Sequence, residues 1–145
     1  METALTTPAE WIGDHDLYAM LADVAVRQRD AAALAHYAPR AEELAVGYGH
    51  GLYEAIAHRA WGVAYRLAGE YTHAEARLER ALALLRALDT PWQIGRTLAE
   101  LGELAAAQTH TAAAQEYFTL AVEAFERVRA APDVLRARRA LAALA

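Results

Sequence analysis

An internal repeat of forty residues is the feature that most constrains the fold of this chain. Residues forty positions apart keep their size, and small residues in particular recur. The best matched pairs are Trp61 with Leu101, Gly62 with Gly102, Ala74 with Ala114, Leu78 with Phe118 and Ala81 with Ala121. The equivalent earlier positions hold Leu21, Ala22, Leu34, Ala38 and Ala41. A period of this length predicts stacked units that each bury an apolar face against their neighbours.

The composition favours helix in every one of these units. Alanine is the commonest of the 145 residues, and residues of high strand propensity are sparse. A chain of this length buries enough surface for one core. We therefore expect an all-α fold with a single domain over residues 1–145.

Capping signals and breaks place the helices within the repeat. Thr7-Pro8-Ala9-Glu10 has both halves of a capping box and predicts the start of the first hairpin, which ends near residue 46. Hairpins two and three are predicted over about 52–87 and 91–129, with a capping box at Thr72 and Glu75 in the second. Pro39 should kink or restart a helix. Residues 132–145 read as half a repeat, as expected of a terminal capping helix that covers hairpin three.

Missing residue types exclude most familiar catalytic devices. The chain contains no Cys, Ser, Asn or Lys, which removes thiol and serine nucleophiles, Schiff-base lysines and thiolate metal sites. Its six histidines are not spaced three or four apart on one helix, so no metal site or cofactor is predicted. We expect a protein that is not an enzyme.

Charge and hydropathy indicate which partners the protein should not bind and where in the cell it should be. The formal net charge of −5 argues against binding to nucleic acid or to an anionic membrane, because both require a basic surface. The sequence has no secretory leader pattern and no run of eighteen apolar residues. We therefore expect a cytoplasmic protein.

The positions at which the repeat keeps residues of similar size resemble the signature positions of the tetratricopeptide repeat family. Six of its eight signature positions are matched in the second unit by Trp61-Gly62, Tyr65, Ala74, Leu78 and Ala81. Leu101-Gly102, Ala114, Phe118 and Ala121 match in the third unit, whereas His58 and Ala105 depart from the pattern. The forty-residue period is similar to that of sensor regions in bacterial transcription regulators and signalling ATPases. The resemblance covers residues 15–145 and implies a right-handed α-solenoid of three hairpins plus a capping helix.

The resemblance also implies a concave groove that binds a protein or peptide. Transferring the family's positions places these candidate residues in the groove: Asp23, Arg27, Arg59, Val63, Arg66, Arg96, Glu100 and Glu103. Arginine suits bidentate contacts with carboxylates, so the predicted partner is an acidic segment. In an alternative interpretation, the groove arginines pair internally with Asp23, Glu100 and Glu103.

Two further functions stay open at the level of sequence. Exposed repeat ends could stack between copies, which would make the chain a self-associating structural module and a homo-oligomer. A small-molecule sensor would instead require an enclosed apolar pocket, for which Tyr53, Trp92 and Met20 are the candidate lining residues.

Overall fold

The computed structural model describes residues 13–144, and this part of the chain is all-α. It contains seven helices and no strand. The helices are α1 (Asp14–Gln28), α2 (Ala31–Tyr48), α3 (Gly51–Leu67), α4 (Tyr71–Leu88), α5 (Pro91–Ala107), α6 (Thr111–Arg127) and α7 (Ala131–Ala143). Each helix packs against the next one in the chain, and α1 also packs against α3.

The turns between the helices recur every twenty residues. Each contains one residue with φ between 51° and 78°, in the left-handed region. These residues are Arg29, Gly49, Gly69, Asp89, Thr109 and Arg129. In the first turn, the Asp30 N–H donates to the Ala25 carbonyl and the Arg29 N–H donates to the Val26 carbonyl, both at 3.1 Å. This is the hydrogen-bond pattern of a Schellman motif, and it recurs at the other five turns. Two helices therefore make up the forty-residue period.

Two glycines of the repeat lie where a large side chain of the partner helix comes close. A Cβ atom on Gly62 of α3 would lie 2.5 Å from Leu78 Cγ of α4. Forty residues later, a Cβ atom on Gly102 of α5 would lie 2.8 Å from Phe118 of α6. Leu78 is fully buried and belongs to the same core cluster as Leu98 of α5. The glycines are therefore required because a large side chain from the partner helix occupies the space beside them.

Helix α7 packs against α6 and contributes to a core cluster with residues of α4, α5 and α6. Its Ala137 is buried in the core cluster, where Val134 and Leu141 pack beside it. Leu144 packs against a smaller cluster around Phe118. Position 138 holds an arginine where α5 has the buried Leu98, forty residues earlier. Arg138 donates a hydrogen bond to Glu126 of α6 at 2.8 Å, so an ion pair replaces the apolar contact of Leu98 at this position of the repeat.

Several predicted helix boundaries and caps differ from the structure. Helix α1 begins at Asp14, after Gly13 with a φ of 78°, whereas the predicted capping box at Thr7 to Glu10 lies outside the described residues. Helix α4 begins at Tyr71 and has no side-chain cap, so the prediction of a Thr72 capping box is wrong. Helix α2 is continuous through Pro39. Its N-cap is Asp30, whose side chain accepts a hydrogen bond from the Ala33 N–H at 3.1 Å.

A cleft between α1, α5 and α7

A cleft of about 630 Å³ opens between α1, α5 and α7. Apolar side chains from four helices line its interior. They are Val26, Trp92, Ala99, Phe118, Phe125 and Ala137. Charged side chains surround them, namely Arg27, Arg29, Arg96, Glu100, Glu103, Asp133 and Arg136. The cleft therefore combines an aromatic floor with a charged rim, as ligand sites commonly do.

Trp92, in the first turn of α5, is the most constrained side chain of the floor. Its indole N–H donates a 3.1 Å hydrogen bond to Asp133 of α7. The guanidinium groups of Arg96 and Arg27 lie 5.2 and 5.8 Å from a Trp92 ring centroid, within the range of cation–π attraction. One aromatic ring thereby links all three helices that border the cleft.

Asp23 of α1 is the first of two carboxylates beside the cleft that each pair with more than one arginine. It accepts hydrogen bonds from Arg96 of α5 at 2.8 Å and from Arg59 of α3 at 3.2 Å. Arg27 lies 3.8 Å away on the same helix. Burial favours the neutral acid, but the hydrogen bond from Arg96 and the charges of the three arginines together hold the pKa of Asp23 below its usual value.

Glu100 of α5 is the second carboxylate, and it is buried. It accepts hydrogen bonds from Arg29 at 2.9 Å and from Arg66 at 3.5 Å. Five arginines therefore share two carboxylates where α1, α3 and α5 meet. Glu103 adds a third acidic group one turn later in the cleft wall, and no ion pair involves it among residues 13–144. Positive charge is in local excess, although the whole chain is acidic.

Arg59 lies inside the protein and does not face the cleft. Its side chain is fully buried, and its Nη1 atom also donates to Thr97 Oγ1 at 3.3 Å and to the Gln93 carbonyl at 3.4 Å. Burial, together with the charge of Arg96, lowers the pKa of Arg59 to about 10, which still leaves it charged at neutral pH. Within residues 13–144, the Nε atoms of Arg59 and Arg66 have no acceptor.

The predicted groove residues therefore divide into three groups. Those that line the cleft are Arg27, Arg96, Glu100 and Glu103. Asp23 and Arg66 lie behind the cleft wall and bind its charged residues. Arg59 and Val63 are fully buried, Val63 in a core cluster of α1, α2 and α3. These two were expected to face a groove and are not accessible to a partner.

Other cleft residues were missed by the sequence analysis. Arg29 lies in a turn, outside the helix positions that the family pattern transfers. Arg136 was not predicted as a site residue, because the arginines near the end of the chain were interpreted as solvating the last helices, although forty residues before it stands Arg96, a predicted site residue. Of the three residues suggested for an apolar pocket, Trp92 lines the cleft. Met20 is exposed on α1, and Tyr53 donates a hydrogen bond to Asp16 instead.

A separate polar cluster joins α2, α3 and α4 around His58. Its imidazole lies 3.4 Å from Glu54, as the i,i+4 spacing predicts, and 3.0 Å from Arg77. Glu42 accepts from Arg77 at 2.7 Å and from the Trp61 indole at 2.9 Å. Burial lowers the pKa of His58, although Glu42 and Glu54 oppose this. These contacts connect three helices, which is a structural role.

Neither a metal site nor a membrane span is found in the part of the chain that the structure describes. No group of three or more His, Cys, Asp or Glu residues there is arranged to hold a metal ion. No described helix is both long enough and apolar enough to cross a bilayer. Comparisons with protein-family models, with curated proteins and with solved structures found no match to this chain.

Proposed function

We propose that this protein is a non-enzymatic binding module whose cleft between α1, α5 and α7 takes an acidic segment of a protein or peptide. The observation that carries the proposal is the sharing of two carboxylates by five arginines beside an open cleft. The fold we propose for it is a right-handed solenoid of three helical hairpins plus a capping helix, similar to tetratricopeptide repeat proteins. The twenty-residue spacing of the turns supports this arrangement.

The charge of the cleft selects the partner's chemistry. Arg27 and Arg136 keep 57% and 68% of their side-chain surface exposed, so both are accessible to a ligand. A carboxylate bound between them would relieve repulsion among the clustered arginines and gain charge-assisted hydrogen bonds. The floor around Trp92 and Phe125 suits an aromatic or aliphatic side chain next to that carboxylate.

Short fluorescent peptides that pair Asp or Glu with an aromatic residue test the proposal. Their affinity should exceed that of matched peptides in which Asn or Gln replaces the acids, and it should fall with added salt. The Arg27→Ala/Arg136→Ala double variant should bind about tenfold more weakly or worse, because each lost charge-assisted bond contributes about 1.5–3 kcal/mol.

The matched control is the Arg80→Ala/Arg86→Ala variant, which removes two exposed arginines of α4, away from the cleft. Its affinity should equal that of the parent, and circular dichroism should show unchanged helicity in both variants. Equal binding of acidic and amide peptides, or equal losses in the two double variants, would show that the cleft is not an acid-binding site.

A small-molecule carboxylate is the second candidate ligand, and the size of the cleft favours it. A volume of about 630 Å³ lies within the usual range of small-molecule sites. A panel of aromatic carboxylic acids should then raise the melting temperature more than the corresponding amides, because a ligand that binds only the folded state stabilises it. The absence of any shift at millimolar concentrations would reject this candidate.

A further inference from the structure

Helix α1 carries an exposed apolar stripe that no other described element covers. Leu17, Met20 and Val24 are 43%, 66% and 48% exposed. At 100° per residue, the three positions fall within about 60° of one another on the helix surface. The opposite side of α1 is buried, with Ala22 and Ala25 fully covered. Large apolar side chains aligned on one exposed helix face are typical of an interaction surface.

Two opposite charges border the stripe on one side. Asp16 lies near the start of α1 and Arg27 near its end, and on the helical wheel both fall on the same edge of the stripe. Their separation of eleven residues corresponds to about 16 Å along the helix. The side chains of Asp16 and Arg27 are 32% and 57% exposed, so each can contact a second molecule.

The apolar stripe and the two charges beside it are complementary to the same surface of a second copy that runs in the opposite direction. In an antiparallel pair of α1 helices, Leu17 of one copy lies opposite Val24 of the second, and Met20 lies close to the two-fold axis. In nearly the same register, Asp16 of one copy faces Arg27 of the other. In antiparallel helix pairs, residues on the same edge of the contact meet each other, which places these opposite charges together twice. A two-fold contact requires this kind of self-complementary surface.

We propose that two copies of this chain associate through an antiparallel α1–α1 contact with Met20 at its centre. The contact is one helix wide, so it buries less than the roughly 1,600 Å² of a standard stable interface. The dimer should therefore be weak and should dissociate on dilution. Leu17, Met20 and Val24 do not line the cleft, whereas Arg27 borders both surfaces, so a substitution of Met20 tests self-association apart from what the cleft binds.

Sedimentation velocity over a dilution series of the full chain tests the contact. The parent should change reversibly from dimer to monomer. Met20→Glu should raise the dissociation constant about tenfold or more, because it places two carboxylates at the two-fold axis. Val46→Glu is the matched control, since Val46 is 57% exposed but lies on α2. This control should dimerise like the parent.

A charge exchange tests the antiparallel arrangement itself. Asp16→Arg and Arg27→Asp should each weaken self-association, because like charges would then face each other. Mixed together, these two variants should form a heterodimer more readily than either forms a homodimer, and the double exchange should restore the homodimer. A parent that is monomeric at every concentration, an unchanged Met20→Glu dimer, or a mixture without heterodimer preference would each overturn the proposal.

Discussion

Arg96 and Arg136 occupy the same position of the repeat in α5 and α7, yet the structure uses them differently. Arg96 is only 10% exposed and pairs with Asp23 of α1. Arg136 is 68% exposed and pairs with Asp133 of its own helix. The same residue type thus joins two helices in one unit and stays accessible to solvent in the next. The arginines of α1, α3 and α5 therefore belong to an internal ion-pair network, whereas Arg136 lies at the open end of the cleft on α7.

The difference follows from the carboxylates that face each arginine. Asp23 and Glu100 face arginines from other helices, so the space between α1, α3 and α5 is filled by ion pairs. Asp133 instead binds Trp92 and Arg136 at the edge of α7. Repeat proteins can therefore keep a residue while changing its role, since the role depends on a partner from another helix.

Charge reversal gives the largest expected contrast between the two regions. Arg59→Glu would place a third carboxylate beside Asp23 and Glu100 in a buried network, and it should destabilise the fold by about 3–5 kcal/mol. Arg136→Glu, at the exposed end, should change stability by no more than about 0.5 kcal/mol. Urea denaturation followed by circular dichroism measures both. Similar unfolding midpoints for the two variants would mean that the network adds nothing to stability.

Overpacking should have an intermediate effect, because it disturbs apolar contacts within the helix pairs α3–α4 and α5–α6. Gly62→Val and Gly102→Val each insert a side chain where Leu78 or Phe118 already lies. Each should cost about 1–3 kcal/mol in the free energy of unfolding. Gly47→Val is the control, since nothing lies within 4 Å of a Cβ atom there. If Gly62→Val unfolds at the same urea concentration as Gly47→Val, α3 and α4 do not pack as described.

Acidification should change the free energy of unfolding least of the three tests, through the ion pairs of Asp23. The pKa of Asp23 is lowered in the folded state. When the pH falls below the ordinary pKa of an aspartate, the unfolded chain therefore binds more protons than the folded chain. The contribution of Asp23 to stability is therefore complete above about pH 4 and is lost as the pH falls further. One such group changes the free energy of unfolding by at most about 1.4 kcal/mol per pH unit. Asp23→Asn should flatten this part of the profile, and an unchanged slope would contradict the role given to Asp23.

Much of the fold was predictable because the relevant forces act locally. The forty-residue repeat and the Asp30 N-cap depend on side chains close in sequence. The predicted starts of α3 and α5 lie within one residue of the structure. Four of the six left-handed turn residues are not glycine, however, so the sequence does not indicate the left-handed φ values of residues such as Arg29 and Thr109. Packing between neighbouring helices stabilises φ values that these residues adopt less readily than glycine.

The residue pattern was sufficient to predict an all-α chain with a forty-residue period, the small residues Gly62 and Gly102 at helix contacts, and a set of arginines close together between helices. Which of these arginines are exposed depends on contacts between helices that are distant in the chain. Arg59 is buried with Asp23 from a helix thirty-six residues away in the chain, and the cleft forms between α1 and α7, at opposite ends of the described chain. Such contacts depend on how successive helix pairs rotate against each other, and a repeat pattern within each pair contains little information about that rotation.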